Sequence, residues 1–203
     1  MQSIDNKIAS RIYANHRGWV FSKNDFLDLG GDDLIRKGLS ILESKGTIRR
    51  VLRGLYDYPK MSQLLKKPME PDLKQVAKAL ARKNGWRIQP SGNTALNLLG
   101  LSTQVPAQMA YLSDGPSKQF TLGSRELIFK KRLLKESGFK LEESELVVQA
   151  LKALEQDRID DEVKQKLRSS FSSKTWEKMV RDARTAPAWV HEIIREMAKE
   201  LEE

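Results

Sequence analysis

Ile4, Ile8 and Ile12 recur at i, i+4 and i+8, a spacing that places all three on one face of a helix. Ser3 is positioned to cap that helix, and Gly18 follows its end. "WVFS" reads as a short strand or extended link. Ser22 then opens a second short helix, with Asp25 three residues on in capping-box spacing, and Gly30-Gly31 breaks it. Ile35, Leu39 and Leu42 mark a third helix to about Ser44, started by Asp32 or Asp33, with Arg36, Lys37, Ser40 and Ser44 on its outer faces. Gly46 is suited to end it in a left-handed conformation. "TIRRVL" and "LYDY", joined by a turn at Arg53-Gly54, read as a β-hairpin. Helix, short strand, helix, helix, hairpin is the order of a winged helix-turn-helix.

"YPKMSQLLKKPMEP" is broken by prolines and reads as a connection. Beyond it, Asp72–Asn84 is patterned as a helix with Leu73, Val76, Ala77 and Leu80 on one face. "GWRIQP" reads as a strand, and "NTALNLLGL" as a short helix capped by Asn93. "AQMAYLS" and "KQFTLGSRELIFKK" read as further strands, the second broken at Gly123. From Glu142 the pattern is helical over 142–156, 160–169, 173–184 and 187–203, with Ser172 or Ser173 and Pro187 as starts of the last two. The fold class is therefore α+β. A winged helix-turn-helix over 1–60 is followed by a mixed α+β domain over 61–140 and a helical C-terminal segment over 141–203.

Charge changes this picture from a fold to a candidate function. The net +9 is uneven: 11 basic against 7 acidic residues in 1–60, 14 against 5 in 61–140, and 11 against 15 in 141–203. A basic front and middle point to a polyanion partner. Arg49, Arg50 and Arg53 stand on the hairpin, where planar guanidinium groups suit phosphate oxygens and narrow minor grooves. Arg36, Lys37 and Ser40 on the third helix are candidates for base edges or backbone, and Arg17 for one more phosphate. The competing explanation is a solvated basic hairpin whose charges only discourage edge-to-edge pairing. Asp32, Asp33 and Glu43 would repel phosphate from the same helix.

Two stretches carry a family resemblance. "GTIRRVLRGLYDYPK" and "QPSGNTALNLLGLSTQVPAQMAYLSDGPSKQFTLGSRELIFKK" resemble the AbiEi-type antitoxins of bacterial type IV toxin–antitoxin and abortive-infection systems, over roughly the first two thirds of the chain. The matching positions are Lys45-Gly46, Arg53-Gly54-Leu55-Tyr56, Pro59, Gly92, Ala95-Leu96, Gly100-Leu101, Gln104 and Pro106. The resemblance implies a winged helix that binds repeats in its own promoter and represses the operon. It also implies a second domain that serves neutralisation of a nucleotidyltransferase-like toxin, together with cooperative or dimeric repression. Repeats in double-stranded DNA would in turn imply a homodimer or paired occupancy. The alternative is an antitoxin that binds its toxin directly, with the winged helix as scaffold. The acidic helical segment after Glu142 departs from the family pattern.

No catalytic constellation accompanies these features, and no enzyme, cofactor or metal is expected. Gly123-Ser124 resembles the start of a nucleotidyltransferase site, but the paired carboxylates that such a site needs about ten residues on are missing, and Glu136 stands there alone. That segment reads instead as a basic hairpin, with Arg125, Lys130, Lys131 and Arg132 as further phosphate candidates. His16 and His191 lack ligand-spaced neighbours. The absence of cysteine excludes disulfides, thiolate zinc sites and thiol nucleophiles. No apolar run reaches membrane-span length and "MQSIDNKIAS" has no secretory core, so a cytoplasmic protein is expected.

Overall fold

A computed structural model of the protein describes residues 3–102, 107–132 and 139–199. The fold is mixed α+β, with helices at both ends of the chain. It divides into two compact units, Met1–Trp86 and Arg87–Glu203, rather than at the two boundaries near 60 and 140 that the sequence suggested.

In the first unit, α1 (Ile4–Ala14) is followed by β1 (Val20–Phe21), a 3-10 helix (Lys23–Leu29), α2 (Asp32–Ser44), and the hairpin β2 (Arg49–Leu52) and β3 (Leu55–Asp57). The strands form one antiparallel sheet in the order β1-β3-β2. Ile8, Ile12, Ile35, Leu39 and Leu42 close on Phe21, Phe26 and Ile48, so the helical periods do mark the core faces. Trp19 packs against that cluster. Ser22 and Asp25 form the expected capping box, but the segment they start is a 3-10 helix. The N-cap of α2 is Gly31; Asp32 and Asp33 fall in its first turn, where their charge favours the positive helix end. Gly46 ends the segment at φ +67.

Helix α3 (Leu73–Asn84), capped by Asp72, buries the predicted face of Leu73, Val76, Ala77 and Leu80. It belongs to the first unit for a concrete reason. Arg82 donates to the Asp25 carboxylate at 2.9 Å and to the Val20 carbonyl at 2.9 Å, and the Asn24 amide donates to the Lys83 carbonyl at 3.1 Å. These are contacts of long sequence separation, which a periodicity does not reveal.

The second unit holds a four-stranded sheet, β4 (Ile88–Pro90), β5 (Gln108–Ser113), β6 (Lys118–Leu122) and β7 (Arg125–Lys131), in the order β4-β5-β7-β6. Strands β5 and β7 run parallel; the other pairs are antiparallel. Helix α4 (Gly92–Leu98) is capped by Ser91, not Asn93, because Ser91 is the extended residue that precedes the first helical turn. Helices α5 (Glu142–Leu154), α6 (Asp161–Ser169), α7 (Ser173–Asp182) and α8 (Ala188–Lys199) enclose Val147, Leu151, Leu167, Trp176, Met179 and Ile194. Helix α4 lies so close to α5 that a Cβ at Gly92 would stand 2.4 Å from that of Ala153. The helical segment after Glu142 is thus one body with the sheet. Among the described residues no helix is long and apolar enough to cross a membrane. Gln104, Pro106, Glu136 and the end of the last predicted helix lie outside the described residues.

Candidate nucleic-acid interface

The first unit contains a groove of about 540 Å³ lined by Lys23, Arg36, Leu39, Arg50, Arg53, Gly54, Tyr56 and Lys83. Five of those eight side chains are cationic, and they come from the 3-10 helix, α2, the hairpin and α3. Leu39, Gly54 and Tyr56 supply an apolar floor. The hairpin reaches the groove through a two-residue turn at Arg53-Gly54, flanked by the pair Leu52 and Leu55. Gly54 sits at φ +71, where a side chain is disfavoured, and a Cβ there would also meet the Lys83 ammonium at 3.0 Å. That ammonium donates to the Arg53 carbonyl at 2.8 Å and so ties α3 to the turn.

Two carboxylates hold three of these five cations, Lys23, Arg36 and Arg50. The Arg50 guanidinium makes a forked pair with Glu43 at 3.0 and 2.8 Å and lies over the Tyr56 ring, 5.4 Å from its centre. Asp32 accepts from both Lys23 and Arg36, and these cations, Lys23 first, hold its carboxyl below the usual carboxylate range. Among the described residues no carboxylate pairs with the Arg53 guanidinium. The groove therefore offers the Arg53 guanidinium at the turn, uncommitted to a carboxylate, together with Lys23, Arg36 and Arg50, whose half-buried carboxylate partners lie at the surface, where ion pairs contribute little and can be exchanged. A polyanion is the ligand that such a lining fits.

Not every predicted contact residue joins this set. Arg49 makes a forked pair with Asp57 at 3.1 and 2.6 Å and donates to the Met69 carbonyl at 2.9 Å. Asp57 is only 2% exposed, so Arg49 is the neutralising partner of a buried charge rather than an outward contact. Arg17 lies over the Tyr58 ring, 4.5 Å from its centre, and donates to the Pro59 carbonyl at 2.9 Å, away from the groove. Lys37 and Ser40 are exposed on α2 beyond the groove lining. Lys23, Lys83 and Tyr56, absent from the sequence-based set, are inside it.

In the second unit Gly123-Ser124 forms the turn between β6 and β7, with Leu122 opposite Arg125, so the pair is a hairpin turn. Arg125 is half-buried at the start of β7, whereas Lys130, Lys131 and Arg132 are exposed at its far end. His16 ends α1 at φ +62, and the His191 Nε2 lies 2.9 Å from the Val180 carbonyl. Among the described residues no three His, Asp or Glu side chains converge as a metal site.

DUF6088, a family of unknown function, matches the chain over residues 7–179. The chain belongs to this family. The span takes in every residue of the cationic groove and the whole sheet of the second unit. No curated protein matches the chain.

Proposed function

We propose that the protein is a double-stranded DNA-binding transcriptional autorepressor. The first unit acts as a winged helix-turn-helix, in which α2 is the groove-entering helix and the β2–β3 hairpin is the wing. One observation carries this reading: cations from four separate chain segments converge on a single groove beside the hairpin turn. The wing contacts in this reading are Arg50 and Arg53, joined by Arg36, Lys23 and Lys83. Arg49 maintains the hairpin through Asp57.

The resemblance to AbiEi-type antitoxins supplies the biological setting. The protein binds repeats in its own promoter as a homodimer and, as an antitoxin in the cytoplasm, counters a nucleotidyltransferase-like toxin encoded beside it. It carries out no catalysis and uses no cofactor.

The reading is tested with a reporter under the protein's own upstream DNA and with growth on co-expression of the neighbouring gene. Wild type represses the reporter and restores growth. Arg50→Glu/Arg53→Glu loses repression while the protein stays folded. Repression by that variant at the wild-type level contradicts the wing assignment, and absence of repression by wild type contradicts the repressor reading as a whole.

A further inference from the structure

Four of the large apolar side chains exposed in this protein, Met61, Leu64, Leu65 and Met69, fall within one short loop. Leu64 is 90% and Leu65 68% exposed. The loop is a built structure and not a slack connection. Met61 and Pro68 form a β-bridge, Ser62 N donates to the Lys67 carbonyl at 2.9 Å, and Met69 N donates to the Lys60 carbonyl at 2.8 Å. Lys66 N returns to the Ser62 carbonyl at 2.9 Å, and Leu65 N to the Ser62 hydroxyl at 3.1 Å. Lys66 is held at φ +49, a left-handed conformation that a lysine adopts at a cost. The fold thus constrains this loop to present two leucines outward.

The charge around them selects the partner. Lys60, Lys66 and Lys67 flank the leucines, and no acidic residue lies between Asp57 and Glu70. Within residues 58–69 every charged side chain is a lysine, so the loop is an apolar tip among cations, and its complement has negative charge around an apolar slot. Duplex DNA offers both: phosphates along each minor-groove edge and, between base pairs, an apolar step that a leucine or methionine wedge can open. Lysine stems extend the apolar surface while their ammonium groups reach the phosphates.

We propose that Leu64 and Leu65 form a minor-groove wedge that partly unstacks a base step and bends the bound duplex, with Lys60, Lys66 and Lys67 on the flanking phosphates. This rests on the duplex-binding reading above and adds a deformation that the cationic groove does not require. The wedge also provides selectivity without base-edge contacts, because flexible pyrimidine–purine steps open at least cost.

The test uses the full chain and a duplex from directly upstream of its gene, labelled with a fluorescent donor and acceptor at its ends. Wild type shortens the end-to-end distance, as a bend of about 20–90° requires. Leu64→Ala/Leu65→Ala still binds, within about tenfold in affinity and with unchanged salt dependence, but leaves the duplex straight; its melting temperature stays at the wild-type value because neither leucine is buried. Lys66→Ala/Lys67→Ala lowers the salt slope by about 2, the loss of two phosphate contacts. Wild type that binds without bending, or a leucine variant that bends equally, overturns the wedge and leaves duplex binding intact. A leucine variant that bends DNA normally but loses self-association assigns the loop to a protein contact and likewise overturns it. Wild type that binds no duplex removes this proposal together with the reading on which it rests.

Discussion

The protein has two basic hairpins, each turning at a glycine in a left-handed conformation, and they do different things with their charge. In β2–β3 the turn brings Arg53 and Arg50 to a groove where cations from three other segments also arrive. In β6–β7 the cations fall at the two ends of one strand, Arg125 beside the turn and Lys130, Lys131 and Arg132 at the far end. Arg125 and Lys130 are five residues apart on β7, about 17 Å at the rise of a strand. Between the hairpin's ends, Glu126 accepts from Gln119 at 2.8 Å and from Gln108 at 2.5 Å, an uncharged-amide ladder that places a carboxylate among the basic residues. The two hairpins are similar in composition. What separates them is convergence, which is set by the elements packed around each one.

The largest effect expected from that contrast is a charge reversal at the first hairpin. Arg50→Glu/Arg53→Glu puts two negative charges at the groove and should weaken duplex binding by about a hundredfold or more at moderate salt, measured by fluorescence anisotropy. Next is Arg49→Ala, which separates structure from recognition within the same hairpin. It leaves Asp57 buried without its guanidinium and should cost about 2–4 kcal/mol in chemical denaturation, less than the ~3–5 kcal/mol of a fully buried pair because Arg49 keeps some contact with water. Asp57→Asn in the same background should recover part of that loss, and duplex affinity of the folded variant should change little.

A smaller effect of opposite sign is expected at Glu43. Glu43→Gln releases Arg50 from its carboxylate and should raise affinity for random duplex about three- to fivefold, with less than about 1 kcal/mol change in stability. Loss of affinity on that substitution would show that Glu43 positions Arg50 rather than competing for it.

The units also differ in pH response. The lining of the groove has only lysine, arginine, leucine, glycine and tyrosine, so duplex affinity should be flat from pH 6 to 8. In the second unit, burial beside Glu142 pushes the Glu145 carboxyl up to about 7. A carboxyl raised above its unfolded value contributes stability that is complete below about pH 4.5 and is lost as pH rises through about 7. Wild-type stability should therefore fall by about 1 kcal/mol between pH 6 and 8 after allowance for solvent screening, seen as a lower melting temperature, and Glu145→Gln should remove this contribution. The smallest effect belongs to the second hairpin: Lys130→Ala/Lys131→Ala should change duplex affinity less than about twofold if spread charge does not make a site.

Much of the architecture was legible in the sequence because it is local. The Ile4-Ile8-Ile12 and Ile35-Leu39-Leu42 periods mark buried faces, the Ser22–Asp25 box forms, Gly46 ends its segment, and Ser172 caps the helix it was expected to start. The candidate site was only half legible. Arg36, Arg50 and Arg53 are in the groove, but adjacency in sequence put Arg49 with them, although strand alternation turns it to the opposite face and onto Asp57. Lys23 and Lys83 enter from elements distant in sequence, and their only trace was position: one just inside a capped turn, the other at a helix end. The unit boundary was missed for the same reason, since Arg82 joins α3 to the first unit by bonds that span about sixty residues.

Everything proposed for the first hairpin depends on its converged cations binding duplex phosphate. That binding is tested most directly by titrating the protein against its own upstream duplex and against random duplex at two salt concentrations, with wild type beside Arg36→Ala/Arg53→Ala. Wild type should prefer the upstream duplex and lose affinity steeply as salt rises. The variant should bind more weakly, and its salt slope should be lower by about 2, two phosphate contacts at roughly 0.9 each. A variant that binds as tightly as wild type with an identical slope would contradict it.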